Sequence, residues 1–253
     1  MQKQELNART NTNVYALPHV LYTHDMRNGF PLLSLRKISK AFVAEALWFI
    51  TGDKSLDFLQ QYTKIWDGFK EEDNTVTSAY GYRLRYHFSV DQIETVLDKL
   101  KADSSTRHGV LQIWSPLEDL TVPQKNVPCP YTAVMNIIDG RLNLSVIARS
   151  TDMVLGFPTD VATWALLQTI FAQELDVEVG IFSFFSAHAH IYEPHVEVVE
   201  TMLAQTSALS LPTIGIPKDT YQMAYEKDSG LFDAINVHGY NPSMAITGIP
   251  IMK

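Results

Sequence analysis

Hairpin-like and helical segments follow one another in this chain without regular alternation, which predicts an α+β fold. Two observations carry that reading. Asp139-Gly140 joins two runs that alternate apolar and polar residues, 131–138 and 141–148, as a β-hairpin requires. Residues 160–173 are largely apolar all round, as a helix at the centre of a fold would be. The chain has 253 residues, 46% apolar and 19% charged, enough for a substantial core. No Pro/Gly/Ser-rich linker, repeat or low-complexity tract divides it, so a single domain over 1–253 is expected.

The elements follow in order. Residues 14–27 alternate and read as strand or hairpin, ending at the Asn28-Gly29 turn signal, and Phe30-Pro31 restarts the chain in extended form. Ser39 then caps a helical pattern of Phe42, Val43, Ala46, Leu47 and Phe49, which Gly52 closes. Residues 55–62 form a second short helix, 66–80 an acid-rich loop, 90–101 an amphipathic helix and 109–114 a buried strand. After the hairpin and the apolar helix come a strand over 179–190 and a helix over 194–204.

Composition excludes several function classes. A formal net charge of -8 argues against a broad nucleic-acid footprint. One cysteine permits no intrachain disulfide and fits a reducing compartment. The polar N-terminus lacks a signal-peptide pattern, and no apolar stretch approaches the ~18 residues of a membrane span. A soluble, cytoplasmic protein is the expectation.

The chemistry-bearing residues each have a plain reading beside a functional one. Free cysteine is commonly a small buried hydrophobe. Pro128 and Pro130 hold Cys129 on extended backbone and remove amide donors, which suits a presented nucleophile better. No second cysteine follows at the spacing a zinc deaminase needs, so that metal site is excluded. His188, His190 and His195 suggest metal ligands at first sight. No acidic ligand stands at clear spacing, so hydrogen-bonding histidines at a strand end are preferred and no metal is expected. Arg149-Ser150, at a strand end, fits a phosphate dianion or a surface ion pair. Asp160 reads as a helix N-cap or a site carboxyl. Glu45, on an apolar helix, reads as a paired carboxylate or as a proton shuttle with a raised pKa.

Taken in order, these segments resemble the thymidylate synthase family, and within it the phage-type deoxycytidylate hydroxymethylases. The resemblance runs nearly end to end. Its matches are Arg9-Thr10, Phe30-Pro31-Leu32-Leu33, Glu45-Ala46-Leu47-Trp48-Phe49 with Gly52-Asp53, Ile65-Trp66-Asp67, Tyr80-Gly81, Thr106-Arg107-His108, Pro128-Cys129, and His190-Ile191-Tyr192. The most specific block is Arg149-Ser150-Thr151-Asp152 through Leu155-Gly156-Phe157-Pro158. The resemblance implies a mixed sheet packed by helices and a homodimer formed through the sheet, with Arg107 reaching the partner's site. It implies a nucleotide and 5,10-methylenetetrahydrofolate as substrates, with no nucleic acid, membrane or metal involved. A Cys129 thiolate would add to C6 of the pyrimidine, and the activated C5 would attack the folate's methylene carbon. Loss of the C5 proton would expel tetrahydrofolate and leave an exocyclic methylene, which takes hydride in a synthase and water in a hydroxymethylase.

By the same resemblance, Arg9, Arg107, Arg149 and Ser150 would hold phosphate, and the arginines would favour the Cys129 thiolate. His190 and Tyr192 would hold the sugar. Glu45 would organise water and Tyr80 would assist loss of the C5 proton. Trp66, Phe69, Asp152, Leu155 and Gly156 would contact folate, with Asp152 also at the nucleotide.

The departures point to the substrate. Asp160 replaces the asparagine that reads the pyrimidine edge. Sharing a proton with N3 and accepting from the N4 amine, it suits cytosine, while an ionised Asp repels O4 of uracil. Pro130 replaces a histidine near O4, Phe69 a tryptophan, and Thr159 a phenylalanine of the folate pocket. A smaller, more polar wall favours water over hydride. His108 replaces one of two arginines. Residues 246–253 do not clearly match the tail that closes over the site in synthases. The expected activity is dCMP hydroxymethylation, with DNA modification in a virus-infected host cytoplasm as its setting. The alternatives are reductive methylation of dCMP, then a dUMP enzyme, then a non-catalytic nucleotide-binding relative.

Overall fold

In the computed structural model, residues 2–7, 11–123, 125–206 and 210–252 are described, the first stretch by its backbone only. In chain order the elements are β1 (Gln2–Asn7), β2 (Thr12–Asp25), α1 (Ala41–Thr51), α2 (Tyr80–Tyr82, continued by a π-helical turn, Arg83–His87) and α3 (Gln92–Ala102). Then come β3 (Val110–Gln112), α4 (Pro116–Asp119), β4 (Pro130–Ile138), β5 (Arg141–Ala148), β6 (Thr151–Asp152), α5 (Gly156–Glu174), β7 (Glu178–Tyr192) and α6 (Val196–Leu203). A small C-terminal group follows: β8 (Thr213–Gly215), α7 (Thr220–Tyr225), α8 (Leu231–Ala234) and β9 (Asn236–His238).

The α+β expectation holds. The main sheet runs β1-β2-β7-β5-β4-β3, and β6 joins it by pairing with β7. The sheet is mixed: β5 and β6 lie parallel to β7, while the other neighbours are antiparallel. One face is apolar by strict alternation. Leu142, Leu144, Val146 and Ala148 of β5 are buried, as are Phe182 and Phe184 of β7. Helix α5 covers that face, burying Trp164, Leu166, Leu167 and Phe171. Its buried Gln168 donates to the Leu142 carbonyl at 2.8 Å, so this polar side chain is tied to the sheet. Helix α1 packs on α5 and is buried from Phe42 to Ile50.

Several boundaries differ from the sequence reading. Of the strand-or-hairpin reading of residues 14–27, the strand holds: β2 runs unbroken to Asp25, and Met26–Asn28 form a 3-10 turn. Residues 55–62 hold only a 3-10 turn, Leu59–Gln61. Helix α5 begins at Gly156, not Asp160, because Pro158 sits in the first turn, where no amide donor is needed. Asp160 therefore lies inside the helix and is not its cap.

Candidate active site

Break the pairing along one edge of β7 and the chain must turn. β5 pairs with β7 as far as Ala148↔Ser186, and β6 resumes at Thr151↔Ala189. Arg149 and Ser150 fall in the gap, at the mouth of a cleft of about 690 Å³. Cys129, Arg149, Ser150, Asp152, His190 and Tyr192 all line it. Phe69, Leu155 and Gly156 line it as well, so most of the residues singled out in the sequence converge on one cavity.

Cys129 sits just before β4. Its carbonyl accepts from the Arg149 amide at 2.9 Å. The prolines on either side carry no amide hydrogen, and the Cys129 N–H donates to the Tyr80 hydroxyl at 3.2 Å. Arg149 grips the same segment. Its Nε donates to the Pro128 carbonyl at 2.9 Å and its Nη2 to the Val127 carbonyl at 2.8 Å, with Nη2 3.8 Å from Cys129 Sγ. A guanidinium so close to a sulfur favours the nucleophilic thiolate.

Tyr80 is placed by a close approach of helices. A Cβ on Gly81 would lie 2.5 Å from the Phe49 carbonyl oxygen, so only glycine lets α2 rest on α1 here. Burial, and then the negative charge of Cys129 and Asp160 beside it, hold the Tyr80 phenol well above its usual pKa.

Glu45 is enclosed between α1 and α5. Its Oε1 accepts from the Trp66 indole N–H and its Oε2 from the Thr163 hydroxyl, both at 2.7 Å. Burial raises its pKa, and those two bonds only partly oppose the rise. Asp160 lies nearby on α5. By area it is part-buried, yet protein crowds its carboxyl. Burial, and then the charges of Glu45 and Asp152, push its pKa well above the usual carboxylate value. Glu45, Tyr80 and Asp160 thus form a mutually interacting group behind the cleft wall, next to Cys129.

The remaining candidates stand around the rest of the cleft or beyond it. Ser150 Oγ stands 3.4 Å from His190 Nδ1, and the His190 and Tyr192 rings meet edge to face at 4.9 Å. Asp152 Oδ1 accepts from the Val154 and Leu155 amides at 2.8 and 3.3 Å, fixing the turn into α5. Trp66 is buried, held by Glu45 and packed edge-on to Tyr80, so its contacts lie with the acid group rather than along the cleft lining. Arg107 is exposed on the loop before β3 and is not among the residues lining this cleft. Arg9 lies outside the described residues.

Other residues reach the cleft without a strong sequence signal. His188 lines it beside His190, and Trp114 packs under the Arg149 guanidinium. Ile251 and Met252 line it too, so the C-terminal segment does reach the site although its sequence resisted alignment. The apolar run Ile249-Pro250-Ile251-Met252 was the signal the sequence offered there.

The family model described as thymidylate synthase matches residues 2–251. A thymidylate synthase of Corynebacterium aurimucosum is 30% identical over 251 residues, covering 94% of this chain and 88% of the relative. One of Vesicomyosocius okutanii is 30% identical over 230 residues, covering 86% of this chain and 85% of the relative. Near-complete coverage, together with a cysteine, acid and arginine group gathered at one cleft, places the chain in the thymidylate synthase family, whose enzymes move a one-carbon unit from methylenetetrahydrofolate to C5 of a pyrimidine nucleotide.

Proposed function

We propose that this chain hydroxymethylates dCMP. The observation that carries the reading is the environment of Asp160, where burial, and then the charges of Glu45 and Asp152, push the carboxyl pKa well above its usual value and so favour its protonated form. A neutral carboxyl can hydrogen-bond either pyrimidine. Only cytosine has a basic N3 that takes the proton, leaving a carboxylate paired with the cytosinium edge and its N4 amine. Protonation at N3 withdraws electrons from C6, where Cys129 attacks. Uracil offers N3–H and a weakly basic O4, and gains no such activation.

In the proposed sequence, Cys129 Sγ bonds to C6 and C5 attacks the methylene carbon. Tyr80 assists removal of the C5 proton, and tetrahydrofolate leaves. Water then adds to the exocyclic methylene, C5=C6 re-forms and the thiolate departs. Glu45 takes the proton from water. A cavity of about 60 Å³ beside Glu45 supports water as the acceptor. Ser39, Thr63 and Thr159 line it together with Glu45, so its wall is partly polar beside the carboxyl. Ile65 borders both this cavity and the main cleft. Arg149 and Ser150 would take the phosphate, His190 and Tyr192 the sugar, and Phe69, Asp152, Leu155 and Gly156 the folate, with Trp66 supporting that wall through Glu45.

A homodimer belongs to the same reading. The sheet face turned away from α5 exposes Leu21, Ile138 and Ile181, and a second copy there would cover them. Arg9 and Arg107 would then complete the phosphate site, Arg107 from the partner.

A second reading, methylation of dUMP, draws on the relatives' printed names. Incubation with each nucleotide and methylenetetrahydrofolate, followed by mass spectrometry, separates the two. Hydroxymethyl-dCMP with tetrahydrofolate is expected. Methyl-dCMP with dihydrofolate would make the enzyme reductive, and reaction of dUMP alone would overturn the reading of Asp160.

A further inference from the structure

We infer that His195 is a positioning residue that fastens the C-terminal segment to the Asp152 wall of the cleft and thereby sets folate affinity. His195 follows the Tyr192 end of β7 and is fully buried. Its Nε2 stands 2.7 Å from the Pro250 carbonyl oxygen, an acceptor only, so Nε2 donates. Its other ring nitrogen, Nδ1, has no hydrogen-bond partner among the described residues and stands 3.9 Å from Asp152 Oδ1. The ring also meets Tyr192 edge to face at 5.6 Å. One imidazole therefore bonds the tail, packs on a tyrosine of the cleft and stands 3.9 Å from the carboxylate that fixes the turn into α5.

The tail's path gives that contact its weight. Tyr240 is held by the Ile38 amide and the Leu33 carbonyl, the Ser243 amide donates to Ser34, and the Met244 carbonyl accepts from Lys37. The chain then runs without helix or strand to Ile251 and Met252, which line the cleft. The bond to Pro250 comes immediately before those two residues, so it decides whether they lie against the cleft or swing free. A buried histidine serving only as filler would have no reason to place a donor on the tail.

The inference rests on the cleft being the nucleotide and folate site. Its test is an Asn/Gln pair at His195, each made in the full chain and in a chain ending at Ile249. Glutamine places its amide near the Nε2 position and reaches Pro250. Asparagine is shorter and keeps only the Asp152 side. In the full chain, His195→Asn should raise the KM for methylenetetrahydrofolate roughly tenfold with a small change in kcat, as expected for one lost hydrogen bond. His195→Gln should recover most of that loss. In the shortened chain the two variants should match the shortened parent, because the accepting carbonyl is gone. Carboxypeptidase release of Lys253 and Met252 gives a readout independent of turnover, and should quicken in His195→Asn but not in His195→Gln. Equal KM effects in full and shortened chains, or unchanged carboxypeptidase rates, would overturn the role assigned to His195. Absence of turnover with both dCMP and dUMP, alongside the expected carboxypeptidase pattern, would instead overturn the reading of the cleft.

Discussion

Replacing Asp160 by asparagine tests base recognition and acid strength together. The amide can turn to pair with either ring edge, but it has no proton to give to cytosine N3. Losing one buried charge-assisted bond costs about 1.5–3 kcal/mol, so kcat/KM for dCMP should fall roughly 10- to 100-fold. For dUMP the amide meets N3–H and O4 with complementary groups, so kcat/KM should rise and the preference should invert. The same change alters stability with a definite sign. The native Asp160 pKa is raised above its unfolded value. Its contribution is therefore fully present below the unfolded pKa and lost as pH rises through the native one, at ~1.4 kcal/mol for each unit between the two. Asparagine has no such loss, so Asp160→Asn should raise Tm, and by more at about pH 8 than at about pH 5. The assays are kcat/KM for both nucleotides and thermal unfolding across pH. An unchanged dCMP preference would refute the base reading. A Tm difference independent of pH would refute the raised pKa.

Three other perturbations follow from the geometry. Tyr80→Phe leaves the Cys129 amide without its acceptor, and the neighbouring prolines have no amide hydrogen with which to tether the segment instead. Turnover should drop roughly 10- to 100-fold with a Tm change of only a few degrees, read by steady-state kinetics and unfolding. Thr159→Val keeps the volume but makes the wall of the cavity beside Glu45 less polar, and removes the hydroxyl that bonds the Leu155 carbonyl. The yield of hydroxymethylated product per tetrahydrofolate released should fall, measured by mass spectrometry, and an unchanged yield would place the attacking water elsewhere. Inactive Cys129→Ala and Arg107→Ala chains should regain activity when unfolded together and refolded, since some mixed dimers would carry one intact site. Absence of recovery would count against a shared site.

Much of this site could be read from residues alone because backbone rules expose it. Prolines around Cys129, a strand that ends at Arg149-Ser150, and a Gly-Phe-Pro entry into an apolar helix are all local signals. The structure joins them at one cleft. The β4–β5 hairpin was legible for the same reason, since Asp139-Gly140 demands the turn and alternation sets the faces. The bond from Trp66 to Glu45 was not legible, because it spans 21 residues and an indole N–H has no sequence preference for a particular acid. The role of His195 was hidden more deeply. Its partner Pro250 is a backbone carbonyl 55 residues away, and any residue could have supplied it. The register of α5 was misread because Asp at an apparent helix start looks like a cap, while Pro158 had already opened the helix.

That register bears on how such a protein can change its chemistry. The α5 entry is held by Asp152 and by Arg36, whose Nη2 donates to the Val154 carbonyl at 2.6 Å. Position 160 takes no part in capping, so its side chain is at liberty to serve the ligand alone. Asparagine and aspartate have nearly the same shape, and their codons differ by a single base. If Asp160 reads the base as proposed, a lineage holding this scaffold could exchange one pyrimidine for another in one mutational step, with no intermediate that must first rebuild the fold.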